Sequence, residues 1–213
     1  MAELIRKNIN EDTLYAIWQI TESVEELYPA IKLRENEEIL YRSFVAESRK
    51  KQWLAYRILI RELLKPVDFP VEYDQTGKPF LTGSGFHISV THTEDLAAVI
   101  ISRNASVGID IEKIKPRIIK VKDKFLHEEE LSLINKDDEL EQLTLAWCAK
   151  EALYKMYGLR NLDFRENIRL EIPVGAGTVF KGFIHVEDIH KEYHLISEKI
   201  DGFILVYSID ALI

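Results

Sequence analysis

The chain has 213 residues, 46% of them apolar, enough for a substantial core in one large or two small domains. A single cysteine, Cys148, excludes an internal disulfide and points to a reducing compartment. Met1 to Asn10 lacks the apolar stretch of a signal peptide, and the longest apolar run, Leu96 to Ile101, is far too short to cross a bilayer, so a cytoplasmic protein with no membrane partner is expected.

Thr13 to Ile20 reads as a strand, and Thr21-Glu22-Ser23 then leads into a short helix at Val24 with Glu25 and Glu26 in its first turn. Helical patterns cover about Glu35 to Ala46 and Ser48 to Leu64, the second stopped by Pro66. Strands follow near Val71 to Tyr73, Phe86 to Thr91, Leu96 to Ser102 and Val107 to Glu112. Helical patterns return between Lys120 and Tyr157, with one long helix from about Glu141 closed by Gly158. The chain ends in strand-like stretches near Ile168 to Ile172, Thr178 to Val186, Tyr193 to Lys199 and Phe203 to Ile209, with Asp201-Gly202 a strong turn signal between the last two. Helices followed by antiparallel strands thus occur twice.

Two stretches carry chemistry. Val107, Ile109 and Ile111 alternate with Gly108, Asp110 and Glu112, so both acids leave one face of a strand, roughly 6 to 7 Å apart at Cα. Their side chains suit a hard cation such as Mg²⁺ better than Zn²⁺, and Gly108 is expected to clear space for a ligand. In the long helix Trp147, Glu151 and Lys155 recur every four residues and form one stripe, with a lysine one turn from a candidate metal-binding glutamate. Each stretch taken alone also fits a blander reading: a solvated acidic strand, or a surface Glu–Lys pair worth about 0.2–0.5 kcal/mol.

Net charge is −8, but Lys113, Lys115, Arg117, Lys120, Lys122 and Lys124 follow the acidic strand with Asp123 as the only acid among them, and Arg49-Lys50-Lys51 opens an earlier helix. Such clusters can neutralise phosphates, dock an acidic partner or simply face solvent. No aromatic interleaving accompanies them, so no nucleic-acid partner is expected.

At these residues the chain resembles the 4′-phosphopantetheinyl transferases, specifically the long branch typified by the activator of surfactin synthetase. Gly108-Ile109-Asp110-Ile111-Glu112 and Trp147-Cys148-Ala149-Lys150-Glu151-Ala152-Leu153-Tyr154-Lys155 match the family's two signatures. Phe125 to Glu130 is similar to its Phe-x-x-x-x-Glu segment, Gly77-Lys78-Pro79 to its Gly-Lys-Pro turn, and Thr91-His92-Thr93 to its Ser-His-Ser triplet, while Ser89 stands where the family often has Asn. The resemblance spans roughly residues 48 to 157. It implies an α+β fold, a pseudo-dimer of two similar α/β halves, each with helices packed on a largely antiparallel sheet. The halves would be residues 1–104, with coenzyme A-binding elements, and 105–213, with the metal and catalytic motifs.

The implied reaction moves 4′-phosphopantetheine from coenzyme A to a serine of an apo acyl, polyketide or peptidyl carrier protein and releases adenosine 3′,5′-bisphosphate. Asp110, Glu112 and Glu151 would hold Mg²⁺, with Mn²⁺ an alternative, and Lys155 would add positive charge at the phosphates. The base is Glu151 directly or a metal-bound water held by Glu130. Thr91 and His92 would meet the 3′-phosphate, Lys78 and Pro79 the adenine end, and Arg49 a further phosphate. Trp147 reads as a packing anchor, and family analogy gives a monomer. The competing readings are another Mg²⁺-dependent phosphoryl-transfer enzyme and a catalytically silent binding module.

Overall fold

The computed structural model describes residues 4–158, 162–187 and 189–211. In chain order it contains β1 (Leu4–Asn8), β2 (Thr13–Gln19), α1 (Val24–Leu27), α2 (Glu35–Ser43), α3 (Glu47–Leu64), β3 (Val71–Tyr73), β4 (Pro79–Leu81), β5 (His87–His92), β6 (Leu96–Ser102) and β7 (Ala105–Lys113). There follow α4 (Lys122–Phe125), α5 (Glu128–Ser132), α6 (Glu139–Tyr157), α7 (Phe164–Asn167), β8 (Ile168–Leu170), β9 (Val179–Val186), β10 (Ile189–Ile200) and β11 (Phe203–Ala211).

The strands form a sheet of order β1-β2-β6-β5, a second of order β7-β11-β10-β9-β8, and the small pair β3-β4, with every pairing antiparallel. This is an α+β architecture with one connection used twice. In the first sheet β2 leads through α3 to the β5–β6 hairpin and lies beside β6; in the second β7 leads through α6 to the β10–β11 hairpin and lies beside β11. Asp201 and Gly202, both at positive φ, make the tight β10–β11 turn that their sequence announces.

Each long helix packs on its own sheet and is buried around most of its middle. Trp53, Leu54 and Ile60 of α3 meet Ala16, Val99 and Ile101, whereas Leu145, Ala149 and Leu153 of α6 meet Leu195, Ile204 and Val206. The opposite sheet faces bury a third cluster, in which Tyr15, Ile17 and Ile100 pack with Ile109, Leu205 and Tyr207. The acidic strand β7 is therefore covered by α6 on one face and by the first sheet on the other. Among the described residues no helix is long and apolar enough to cross a membrane.

Strand β4 and helix α7 were not expected from the sequence, and two other elements differ from the sequence reading for identifiable reasons. Helix α2 stops at Ser43 rather than Ala46, because Phe44 turns to an extended conformation and packs on Trp53 with ring centroids 5.9 Å apart. Strand β1 was not expected: residues 5–8 are all exposed on an edge strand, so no burial period marks them.

Candidate active site

Gly108 decides how near the two motifs come. A Cβ there would stand 2.0 Å from the Ala152 carbonyl oxygen and 2.9 Å from Met156 Cβ. What approaches Gly108 is thus the backbone of α6 and not a ligand, which corrects the expectation for this residue. The close packing brings Glu151 and Lys155 of α6 over Asp110 and Glu112 of β7.

Asp110 is 4% exposed. Its Oδ1 accepts from Lys155 Nζ at 2.7 Å and from Thr91 Oγ1 at 2.8 Å, while its buried Oδ2 has no hydrogen-bond partner. Glu112 Oε1 accepts from Trp147 Nε1 at 3.2 Å. Trp147 does more than pack, since its ring, held by Phe125 and Phe164 at 5.1 and 5.5 Å, aims the indole N–H at that carboxylate. Burial pushes the Glu112 carboxyl up, with Asp110 adding to the shift. Burial and then the Asp110 charge raise Glu151 to about 7. Burial works against the Lys155 charge, but the Asp110 and Glu151 carboxylates outweigh it and hold the ammonium above its usual range.

Arg49 joins from α3. Its Nη1 donates to His92 Nε2 at 2.6 Å, which fixes the neutral ring with its proton on Nδ1, and burial together with the Arg49 and Lys155 charges holds His92 down at about 4. Of the three basic residues opening α3, Arg49 faces the site, whereas Lys50 lies over the Tyr41 ring. Arg49, Thr91, His92, Asp110, Glu112, Glu151 and Lys155 line one cavity of about 290 Å³ with Tyr56 and Tyr73. A neighbouring 210 Å³ cavity, lined by Lys78, Ser89 and Tyr154, shares Gly77, Pro79, Val90 and Lys155 with the first, so the two run together. Lys78 Nζ donates to the Met156 carbonyl at 3.2 Å, docking the Gly77-Lys78-Pro79 turn on the end of α6 where Gly158 takes φ +73°.

Two further hollows flank Trp147. One, of 440 Å³, is lined by Lys113, Lys115, Arg117 and Lys120 with Ile118 and Val121, and reaches Glu112. The other, of 570 Å³, is walled by Phe125, Tyr154, Leu162 and Phe164 and reaches Glu151. Parts of the basic run are already paired, Lys113 with Asp95 and Lys122 with Glu139.

Glu130 is not brought to this cluster. It is 3% exposed; its Oε2 accepts from Lys150 Nζ and from the His127 amide, and its Oε1 from the Leu170 amide. Lys150, fully buried, also donates to the Phe164 and Ile168 carbonyls, so the pair ties α5, α6, α7 and β8 together. Both Glu130 oxygens are engaged away from the cavity, which Glu130 does not line, so the structure does not bring it to the site to hold a water there as the sequence reading expected. Sequence reasoning missed Lys150 as the central tie, although it stands in the Lys-Glu pair of the helix signature. It missed Ser89 too: the hydroxyl accepts from the Ile109 amide at 3.2 Å, settling the hydrogen bonding where the family often has Asn.

The donor set fits a hard divalent cation in its chemistry. Asp110, Glu112 and Glu151 offer only oxygen, and Asp110 Oδ2 is a buried acceptor with nothing to accept from. Among the described residues no three His, Cys, Asp or Glu side chains stand close enough together to hold a metal ion as they are. Three carboxylates repel one another, and Lys155 on Asp110 and Trp147 on Glu112 occupy two of them.

Comparison with known proteins follows the same residues. Residues 106–208 match the sequence model of the 4′-phosphopantetheinyl transferase superfamily. That stretch, the second half of the chain, is thus similar to the proteins of that superfamily. It is 30% identical over 116 residues to the 4′-phosphopantetheinyl transferase AcpT of Escherichia coli (strain K12), covering 52% of this chain and 59% of that protein. The AcpT of Salmonella typhimurium aligns at 30% over 116 residues, 52% of this chain and 60% of that protein. The 4′-phosphopantetheinyl transferase gsp of Aneurinibacillus migulanus is 31% identical over 118 residues, 49% of either chain. The match thus spans about half to three-fifths of the length of these relatives.

Proposed function

We propose that this chain transfers the 4′-phosphopantetheine group of coenzyme A to a serine of an apo acyl, polyketide or peptidyl carrier protein, in the cytoplasm and with Mg²⁺ or Mn²⁺. The reading rests on one observation above others: Asp110, Glu112, Glu151 and Lys155 of the second sheet and its helix share a cavity with Arg49, Thr91 and His92 of the first. We further propose that residues 1–104 and 105–213 act as two halves with the reaction at their junction.

A divalent cation held by Asp110, Glu112 and Glu151 would neutralise the pyrophosphate and its leaving oxygen. Lys155 supplies a fixed positive charge at the same phosphates. Arg49, Lys78 and Pro79 receive the adenosine 3′-phosphate end along the joined cavities, with the neutral His92 held by Arg49 beside them. The serine Oγ forms a bond to the phosphorus next to pantetheine as the bond from that phosphorus to adenosine 3′,5′-bisphosphate breaks. Glu151 takes the serine proton. Glu130 acts only as the anchor of Lys150. The aromatic hollow beside Glu151 suits the uncharged pantetheine arm, and the basic hollow beside Glu112 suits an acidic carrier.

Intact-mass analysis of an apo carrier incubated with the chain, coenzyme A and Mg²⁺ tests this, run beside Asp110→Ala. A shift of one phosphopantetheine with the parent and none with the variant is expected. No shift on fatty-acid, polyketide or peptide carriers would sink the reading, and hydrolysis of coenzyme A without an acceptor would replace it with a phosphohydrolase.

A further inference from the structure

We propose that Thr91 is a positioning residue that pins Asp110 and joins the two sheets, and that its hydroxyl does not bind the phosphates of coenzyme A. The inference rests on the reading of the site given above, but it reverses the role that the Thr-His-Thr triplet suggests for this residue.

A threonine hydroxyl has one hydrogen to donate. In Thr91, which is 4% exposed, that hydrogen goes to Asp110 Oδ1 at 2.8 Å, and the oxygen accepts from the Ile111 amide at 3.4 Å. A phosphate anion can only accept, so a Thr91 that keeps Asp110 has nothing to offer it. The geometry around Asp110 is lopsided in a useful way. Lys155 and Thr91 both donate to Oδ1, and Oδ2 receives nothing. Two donors on one oxygen fix the rotation of the carboxylate and leave the buried Oδ2 as the acceptor without a hydrogen-bond partner, the one a cation would satisfy.

The same hydroxyl has a second task. Strands β5 and β7 are terminal strands of different sheets. Ser89 takes the Ile109 amide and Thr91 the Ile111 amide, so two side-chain hydroxyls two residues apart satisfy donors on the edge of β7. Ser89 makes this joint without touching Asp110, which separates the two tasks experimentally.

Thr91→Val keeps the branched shape and removes the hydroxyl. Three readouts decide the matter: Mn²⁺ affinity by electron paramagnetic resonance without substrate, binding of adenosine 3′,5′-bisphosphate by calorimetry, and kcat and KM for coenzyme A. We expect the Mn²⁺ dissociation constant to rise and kcat to fall by about ten- to a hundredfold, the usual effect of losing a partner that orients a metal ligand. Bisphosphate affinity and the KM for coenzyme A should stay within about twofold, and Thr91→Ser should restore metal affinity and rate. Should Thr91→Val not fold, Thr91→Cys, a weaker donor of similar size, carries the same test.

Ser89→Ala should lower stability while leaving the Mn²⁺ constant unchanged. A bisphosphate affinity about tenfold weaker in Thr91→Val with unaltered Mn²⁺ binding would overturn the proposal in favour of a phosphate contact. An equal Mn²⁺ loss in Ser89→Ala would overturn it by assigning the effect to the sheet joint. If the parent bound Mn²⁺ and the bisphosphate but modified no carrier, the transferase reading would fail while the pinning of Asp110 stood.

Discussion

Gly108→Ala is the most revealing single change, since it adds one methyl group where strand and helix touch. The new Cβ would meet the Ala152 carbonyl oxygen at 2.0 Å and Met156 Cβ at 2.9 Å, and both belong to α6, so no flexible side-chain end can swing away. Ordinary contact starts at 3.4 Å, which demands a retreat of about 1.4 Å by helix or strand. Overpacking of this kind costs about 1–3 kcal/mol, or a drop in Tm of about 2–12 °C for a chain of this size. The same retreat, taken directly away from β7, would stretch the Lys155–Asp110 bond from 2.7 Å and the Trp147–Glu112 bond from 3.2 Å beyond hydrogen-bonding length. A misplacement of that size in a catalytic constellation costs about a hundredfold in rate. Thermal melting followed by circular dichroism, together with carrier modification at a temperature where the variant remains folded, measures both effects. A variant with Tm within about 2 °C of the parent and a transfer rate within twofold would refute the claim that this glycine sets the spacing of the site.

Two further outcomes follow from the buried charges. Burial pushes the Lys150 ammonium down to about 8 although the Glu130 carboxylate beside it pulls the other way, so the pair is a costly interior group held by complete hydrogen bonding. Lys150→Met should therefore cost about 3–5 kcal/mol by urea denaturation, and adding Glu130→Gln, which removes the stranded charge but keeps an acceptor for the Leu170 amide, should return part of it; a double variant less stable than the single one would contradict this. For Glu151, the carboxyl is raised from 4.5 to about 7, so between those values the folded chain holds a proton that the unfolded chain has released, and stability falls as pH climbs through that window. In buffer with a chelator, Glu151→Gln should be more stable than the parent at pH 8 by about 1–3 kcal/mol, with the gain gone near pH 4.5. Equal stability of the two across this range would show that Glu151 carries no such strain.

Much of the fold was legible because local patterns suffice for it. The alternation from Val107 to Glu112, the helix closed at Gly158 and the Asp201-Gly202 turn each announce an element through short-range sterics and burial period. The repeated β–α–β–β connection was visible only as an order of elements, since pairing of β2 with β6 and of β7 with β11 joins residues far apart in the chain. β1 escaped because an exposed edge strand needs no apolar period. Its backbone pairing with β2, from Leu4↔Trp18 to Asn8↔Leu14, leaves no signature in side-chain chemistry.

For the site, the sequence alone determined which carboxylates, lysine and histidine are available and that Asp110 and Glu112 share a strand face while Glu151 and Lys155 share a helix stripe, because those relations are fixed by backbone periods of two and four residues. Only the tertiary structure decided what each group does with its neighbours. Gly108 faces α6, Glu130 is spent on Lys150, Trp147 aims at Glu112, and Thr91 gives its single hydrogen to Asp110. The physical reason is that a hydrogen bond is directional and exclusive: a donor committed across 19 residues of sequence to one acceptor is lost to every other, and no local pattern records where that acceptor will lie.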